Sequence, residues 1–281
     1  LFTFLYPHPQ REIDRSVTSV GWEGGKTNSR LKAGEQGCAI ILNMEKLKAG
    51  AEELGLGLSP AQLEQFASYY HELLEWNRRV NLTAITGYEE VQLKHFLDSL
   101  TIILAWPPKI EAGLRVIDIG TGAGLPGIPL KIVFPAIKLT LLEATAKKAN
   151  FLSHIIPKLG LANVEIVVGR AEEVAHQQQY REKFDVVLSR AVAALPALAE
   201  LTLPFCAVGG SFIAQKKGTI DEEIERAGRA IELLGGNLRG VKKVALSSLP
   251  NERHLVVIDK LSPTPEQYPR RPGLPANRPL T

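Results

Sequence analysis

The sequence predicts an α/β fold: a doubly wound sheet with an antiparallel C-terminal edge, behind an N-terminal helical layer. Three observations carry that prediction. The stretch Val116–Gly127, VIDIGTGAGLPG, reads as a buried strand running into a glycine-rich turn, with the apolar run Ile128–Phe134 starting a helix behind it. Short β-branched runs then alternate with helical stretches as far as Leu234, the pattern of a parallel sheet with crossover helices. Two closing strand runs, Val241–Leu246 and Arg253–Lys260, have no helix between them and indicate an antiparallel pair.

Residues 1–43 show no sustained helical or alternating pattern and read as a disordered or non-native leader. The only methionine, Met44, stands directly before the first patterned region and reads as the natural start. Glu12, Asp14, Glu23 and Glu35 make the leader unlike an acid-poor transit peptide. Residues 44–108 read as a region of three helices. Ser59-Pro60-Ala61-Gln62 is a capping box with proline at the first helical position, and Leu63, Phe66, Tyr70, Leu73 and Leu74 follow at helical spacing. Thr86-Gly87-Tyr88-Glu89 repeats the box before Leu93, Phe96, Leu97, Leu100, Ile103 and Leu104, and Pro107-Pro108 ends that helix. These stripes are packing faces. The polar stretch Trp76–Thr83 between the helices reads as a turn, its asparagines satisfying backbone groups.

Residues 109–261 read as the sheet domain, and its first turn carries the chemistry. Glycines at 120, 122, 124 and 127 let the backbone take φ > 0 and approach a ligand without a Cβ in the way. Gly122, Gly124 and Gly127 match the dinucleotide spacing G-x-G-x-x-G, a weak signal by itself. Asp118 sharpens it, because a carboxylate beside the turn disfavours a pyrophosphate and suits a cationic ligand. S-adenosylmethionine, with a sulfonium, an ammonium and no phosphate, fits better than NAD. The next strand, from Lys138, ends at Glu143, where a doubly wound fold places an acid on ribose hydroxyls.

Thr145–Leu159 reads as a helix shortened or kinked by Pro157, and Val164–Val168 as a strand. Glu172 follows as either a helix N-terminal acid favoured by the dipole or a cofactor contact. Phe184–Leu188 is a buried strand leaving through Ser189-Arg190 at the ligand edge, so Arg190 is a site candidate. Ala191–Leu203 reads as helical, and Gly209-Gly210 as a turn into the strand Ser211–Gln215, with Lys216-Lys217-Gly218 at its end. Asp221–Leu234 is an acid-started helix. Residues 262–281, with Arg270, Arg271 and Arg278 among prolines, read as an extended basic tail that is either solvated or in contact with phosphate.

At 281 residues and 45% hydrophobic content the chain has room for one large domain and an accessory one. No apolar run approaches the roughly 20 residues of a membrane span, and the start lacks a signal pattern, so a cytoplasmic protein is expected. The two cysteines, Cys38 and Cys206, are too few for a disulfide framework and receive no chemistry. A net charge of +3 permits a polyanionic partner without requiring one.

Several separated motifs then coincide. Lys94-His95-Phe96-Leu97-Asp98-Ser99, Asp118 through Gly127, Ser189-Arg190-Ala191, Lys217-Gly218 and Arg253-His254-Leu255-Val256-Val257 resemble the bacterial 16S ribosomal RNA guanine-N7 methyltransferases, the glucose-inhibited division protein B family. The resemblance covers Met44 to about Leu261. Glu143-Ala144-Thr145 and the tail Tyr268–Gly273 resemble cyanobacterial and plastid members, which brings in the plastid stroma as a location if residues 1–43 belong to a targeting segment. Gln215-Lys216-Lys217 runs one residue longer than the family's usual approach to its Lys-Gly pair.

The resemblance implies a class I S-adenosylmethionine-dependent methyltransferase acting on 16S rRNA of the small ribosomal subunit. By position it implies that Gly120, Leu125, Ala171, Glu172 and Arg190 line the cofactor and that Glu143, Ala144 and Thr145 take its ribose and adenine side. Guanine N7 carries an in-plane lone pair, so transfer needs orientation and no general base or metal. Arg190 could position the base through O6 or hold cofactor or phosphate. Lys94, His95, Lys217, Arg270 and Arg271 are the candidate RNA contacts, and a monomer without membrane partners is expected. The rivals are a methyltransferase for a small molecule or protein, an NAD-dependent oxidoreductase, and a non-catalytic ribosome-binding module.

Overall fold

The structure, a computed structural model, describes residues 43–106, 113–190, 192–249 and 252–280. The leader, apart from Asn43, and the expected stop at Pro107-Pro108 lie outside the described residues.

The N-terminal region begins with α1 (Glu45–Glu53) and α2 (Pro60–Asn77). The capping box at α2 forms as its residues predict: Ser59 Oγ accepts from Gln62 N at 3.3 Å and Gln62 Oε1 accepts from Ser59 N at 2.9 Å. The third helical segment differs from expectation at its start. Gly87, not Thr86, occupies the N-cap, with no side-chain bond, and the Thr86 carbonyl instead accepts from Tyr70 Oη at 3.2 Å. The segment changes hydrogen-bond pitch along its length: α3 (Tyr88–Val91), a π-type turn (Gln92–Leu97), α4 (Asp98–Leu100) and a 3₁₀ turn (Thr101–Ala105). Side-chain hydroxyls take up carbonyls there, Ser99 Oγ donating to His95 O and Thr101 Oγ1 to Asp98 O, each at 2.6 Å. Such π-type turns recur at functional sites, and this one carries Lys94 and His95.

The sheet follows with β1 (Arg115–Ile119), α5 (Gly127–Val133), β2 (Lys138–Glu143), α6 (Ala146–Lys158) and β3 (Val164–Val168). Then come α7 (Ala171–Val174), β4 (Phe184–Arg190), α8 (Leu195–Thr202), a 3₁₀ turn (Leu203–Phe205) and β5 (Cys206–Lys217). The chain closes with α9 (Asp221–Leu233), β6 (Gly236–Val244), β7 (Arg253–Lys260) and α10 (Leu274–Asn277). Strand order is β3-β2-β1-β4-β5-β7-β6. β7 runs antiparallel to both β5 and β6, so the reversed strand sits one place in from the edge rather than forming it. Gly209-Gly210 does not precede β5 but lies inside it, where Gly209 at φ +86° accompanies a register shift against β4.

Alternating strand residues feed two cores, as a sheet covered on both faces requires. Val116, Leu188, Ile213 and Val257 pack with Leu47, Phe66, Leu97, Leu130 and Ile155 on the face covered by the N-terminal helices, α5 and α6. Ile117, Val187, Phe212 and Ile258 pack with Val174, Leu198 and Ile231 on the other. The N-terminal helices thus share a core with the sheet. Cys206 lies in the second core, where burial pushes its thiol up to about 12.

The C-terminal segment is docked, not an extended tail. Arg181 donates to Thr264 O at 2.8 Å and Tyr268 O at 2.9 Å, and His176 Nε2 meets Pro269 O at 2.8 Å. Arg270 closes on the fully buried Glu200, with Nη2 to Oε2 at 2.6 Å and Nε to Oε1 at 2.9 Å.

Candidate active site

β1 enters the glycine turn under hydrogen-bond control from its neighbour: the Gly120 and Thr121 N–H groups both donate to Leu142 O of β2, at 2.9 and 3.1 Å. Gly120, Gly122 and Gly124 all take φ between +61° and +92°, where a side chain would be strained. Their surroundings differ. A Cβ on Gly124 would stand 2.3 Å from Ile128 Cδ1, whereas the Cβ position of Gly122 faces open space with only Gly120 O at 4.0 Å. Gly124 and Leu125 are buried, so the accessible backbone of the turn is at Gly120 and Gly122. Tyr69 of α2, absent from the sequence-based site, holds the turn from below by donating its hydroxyl to Ala123 O.

Asp118 is fully buried, and its Oδ2 accepts from Thr121 Oγ1 at 2.6 Å and Gly127 N at 2.9 Å, so it shapes the turn from inside, while its Oδ1 is buried and without a partner among the described residues. Burial pushes its pKa up to about 6. A second buried acid, Glu143 at the C-terminal end of β2, bonds the turn from the neighbouring strand. Its Oε2 accepts from Gly122 N at 2.9 Å and its Oε1 from Thr145 N at 2.8 Å, with Ala144 and Thr145 exposed beside it. An acid across an open glycine turn fits an S-adenosyl group with its cationic head and ribose diol, and opposes a pyrophosphate.

Glu172 opens α7 as an N-terminal acid, and its Oε1 accepts from Arg170 Nη2 at 3.0 Å and from Gly273 N of the docked tail at 2.9 Å. Those bonds hold its carboxyl below the usual range against the burial that raises it. Its carboxylate is a strap anchor, and Ala171 beside it is half-buried.

On the other side of β1, a cavity of about 320 Å³ is lined by Lys94, Arg190 and Lys217 together with the buried His95, Asp98, Gln215 and Arg253. Asp98, only 1% exposed, divides its oxygens between two arginines: Oδ1 accepts from Arg253 Nε at 2.8 Å and Oδ2 from Arg190 Nη1 at 3.2 Å. Lys216 is turned aside to Ala193 O and Glu223 Oε1, both at 2.7 Å. Lys217 has no hydrogen bond or ion pair among the described residues, and its amine is pulled down by burial and then by Arg253. Lys94 lies within 2.5 Å of Glu90 Oε1.

Of the expected RNA contacts, His95, which lines the cavity, and Arg270 both make bonds within the fold. His95 is buried, and its ring nitrogens meet Thr83 Oγ1 at 2.7 Å and Lys94 O at 3.1 Å. The Lys94 carbonyl can only accept, so Nδ1–H donates to it, and in the neutral ring Nε2 then accepts from the Thr83 hydroxyl, which itself accepts from Ile85 N. Burial and then Arg190 push this imidazole down to about 4, which favours its uncharged form at neutral pH. Arg270 is spent on Glu200. Arg271, by contrast, is exposed. Asp98 and Arg253 stand in the motifs that carried the resemblance, but only the fold joins them; Gln215 had no local signal at all.

A doubly wound sheet in the order above, with a glycine turn after β1, an acid ending β2 and a reversed β7, defines a class I S-adenosylmethionine-dependent methyltransferase. The family model described as GidB: rRNA small subunit methyltransferase G matches residues 62–256. Ribosomal RNA small subunit methyltransferase G of Dehalococcoides mccartyi (strain CBDB1) is 54% identical over 237 residues, covering 84% of this chain and 100% of that protein. The protein of the same name from Pelotomaculum thermopropionicum (strain DSM 13744 / JCM 10971 / SI) is 48% identical over 236 residues, covering 84% of this chain and 98% of its own length. The chain belongs to the rRNA small subunit methyltransferase G family. Among the described residues, no helix is long and apolar enough to cross a membrane.

Proposed function

We propose that this chain transfers the methyl group of S-adenosylmethionine to N7 of a guanine in 16S rRNA, with the target nucleotide in the cation-lined cavity beside the glycine turn. The observation that carries this is the pairing of the two halves at one sheet edge. The glycine turn follows β1, and the cavity opens at the ends of the adjacent β4 and β5, where Arg190 and Gln215 stand in register.

S-adenosylmethionine supplies an electrophilic methyl on a sulfonium when bound. Glu143, Gly120 and Gly122 would hold it, Glu143 through the ribose side and the glycines by leaving the backbone uncovered, with Ala144 and Thr145 flanking the adenine side. Guanine N7 is already a nucleophile, so the chain's task is alignment, which in favourable cases supplies up to roughly 7–11 kcal/mol. Arg190 is suited to that task because Asp98 fixes one arm of its guanidinium, leaving its remaining N–H groups to donate to guanine O6. Lys94 and Lys217 at the cavity, and Arg271 on the tail, would contact RNA phosphate. The reading makes the enzyme a monomer acting in the cytoplasm.

Methyl-labelled cofactor incubated with small-subunit particles, naked 16S rRNA and cell extract tests this. The expected result is label in 16S rRNA that maps to one guanine and renders its N-glycosidic bond labile, as N7 methylation does. Label recovered only in protein or small molecules would replace this function with the rival substrate class.

A further inference from the structure

Gln215 has a hydrogen-bonding atom that the fold leaves unused. It lies near the end of β5, paired with Arg190 on one side and Leu255 on the other, and is 6% exposed. Its Nε2 donates to Asp98 O at 2.6 Å and to Thr101 Oγ1 at 3.1 Å. A carbonyl can only accept, so the amide nitrogen must face it, and that sets the orientation of the whole side chain. Oε1 therefore faces away from Asp98 O, buried and without a partner among the described residues. A buried acceptor left in this state requires an explanation.

The rest of the cavity narrows what can meet it. Both Asp98 oxygens are taken by arginines, and His95 Nε2 is taken by Thr83. Among the side-chain acceptors lining the cavity, Gln215 Oε1 is the one with no partner among the described residues, and Arg190 and Lys217 line the same cavity as donors. A phosphodiester offers acceptors only and would be repelled at Oε1. The Watson–Crick edge of guanine offers the matching sequence: O6 accepts, while N1–H and the 2-amino group donate. Adenine reverses it, with a donor at position 6 and an acceptor at N1.

We propose that Gln215 is a specificity-determining residue that reads the Watson–Crick edge of the target guanine, Oε1 accepting from N1–H and the 2-amino group while N7 faces the methyl donor. This rests on the reading of the cavity as the target nucleotide's site. Oε1 then gains its missing bond only when guanine is bound, and adenine would set two acceptors against each other.

The test uses 16S rRNA rebuilt by ligation with guanosine, inosine or adenosine at the position that the wild-type chain methylates, and reads kcat/KM for each. Inosine lacks only the 2-amino group. The wild-type chain should prefer guanosine over inosine by about tenfold and over adenosine by more, and in Gln215→Met at least one of these ratios should fall about tenfold. Because each ratio compares substrates on one enzyme preparation, partial loss of stability in the variant cancels. Ratios unchanged in Gln215→Met overturn the proposal. So does a wild-type chain that methylates all three bases equally, a result that needs no variant. Failure of the wild-type chain to methylate guanosine RNA at all overturns the parent reading instead, which keeps the two failures apart.

Discussion

Arg253 Nε donates to Asp98 Oδ1 at 2.8 Å across 155 residues of sequence, and both side chains are all but fully buried. The bond ties the N-terminal helical layer to the reversed strand at the floor of the cavity. Arg190, on Oδ2, is positioned by the same carboxylate. One acid thus joins three elements and determines where the cavity's arginines point.

Asp98→Asn should therefore be costly. Removing one partner of a buried ion pair leaves uncompensated charge, and two arginines are affected here. The expected loss is about 3–5 kcal/mol of unfolding free energy, read from the urea midpoint with the slope unchanged. A loss under about 1 kcal/mol would mean that solvent already screens both arginines.

Arg270 and Lys217 separate structure from RNA contact. Arg270→Ala breaks a bidentate pair to a fully buried glutamate, so it should cost about 3 kcal/mol in stability. It should leave the salt dependence of RNA binding unchanged. Lys217→Ala should do the reverse, with little change in melting temperature and a salt slope smaller in magnitude by about 1. Binding titrations across a salt series on both variants decide the assignment; an unchanged slope in Lys217→Ala removes that lysine from the RNA surface.

These two residues show where sequence was informative. Periodic and capped elements were legible because their determinants are local: the box at Ser59 and Gln62 forms, and Val164–Val168 has the expected limits. The turn at Gly120–Gly124 and Glu143 after β2 were legible for the same reason, since strand, turn and acid occur in a fixed order. The tail was not. Arg270 and Gly273 find their acceptors on Glu200 and Glu172, 70 and 101 residues earlier, and no local pattern encodes such a pairing. The same applies to Asp98 with Arg253, and to Gln215, whose importance lies in an atom left unpaired. For Asp118, chain position gave its place beside the turn but not its Oδ2 bonds to Thr121 and Gly127 inside it.

The glycines of the turn should respond differently to one added methyl group. Gly124→Ala places Cβ 2.3 Å from Ile128 Cδ1 at φ +92°, so strain and overpacking together should cost about 3 kcal/mol or more in stability. Gly122→Ala meets open space and pays only for its φ of +61°, about 1 kcal/mol. Its Cβ would stand where the cofactor approaches. Calorimetry with S-adenosylhomocysteine should show affinity falling at least about tenfold in Gly122→Ala, a 1.4 kcal/mol effect. Unchanged affinity would move the cofactor away from that face of the turn.

His95 should make stability depend on pH. Its pKa is about 4 in the fold against an ordinary 6.5, so between those values the unfolded chain binds the extra proton and the folded chain does not. The stability it contributes is present above 6.5 and is lost as pH falls toward 4, by up to about 3 kcal/mol. Asp118 works in the opposite sense. Its pKa is raised from 3.8 to about 6, so its contribution is present below 3.8 and lost as pH rises through 6. The two flatten each other in the wild-type curve, and a flat profile alone would conceal both. The informative quantity is the difference between wild type and His95→Gln, from urea midpoints at pH 4.5 to 7.5. Wild type should gain on the variant as pH rises through that range and the gain should level off above 6.5. A difference independent of pH would mean that the imidazole titrates at its ordinary value and is open to solvent and to phosphate.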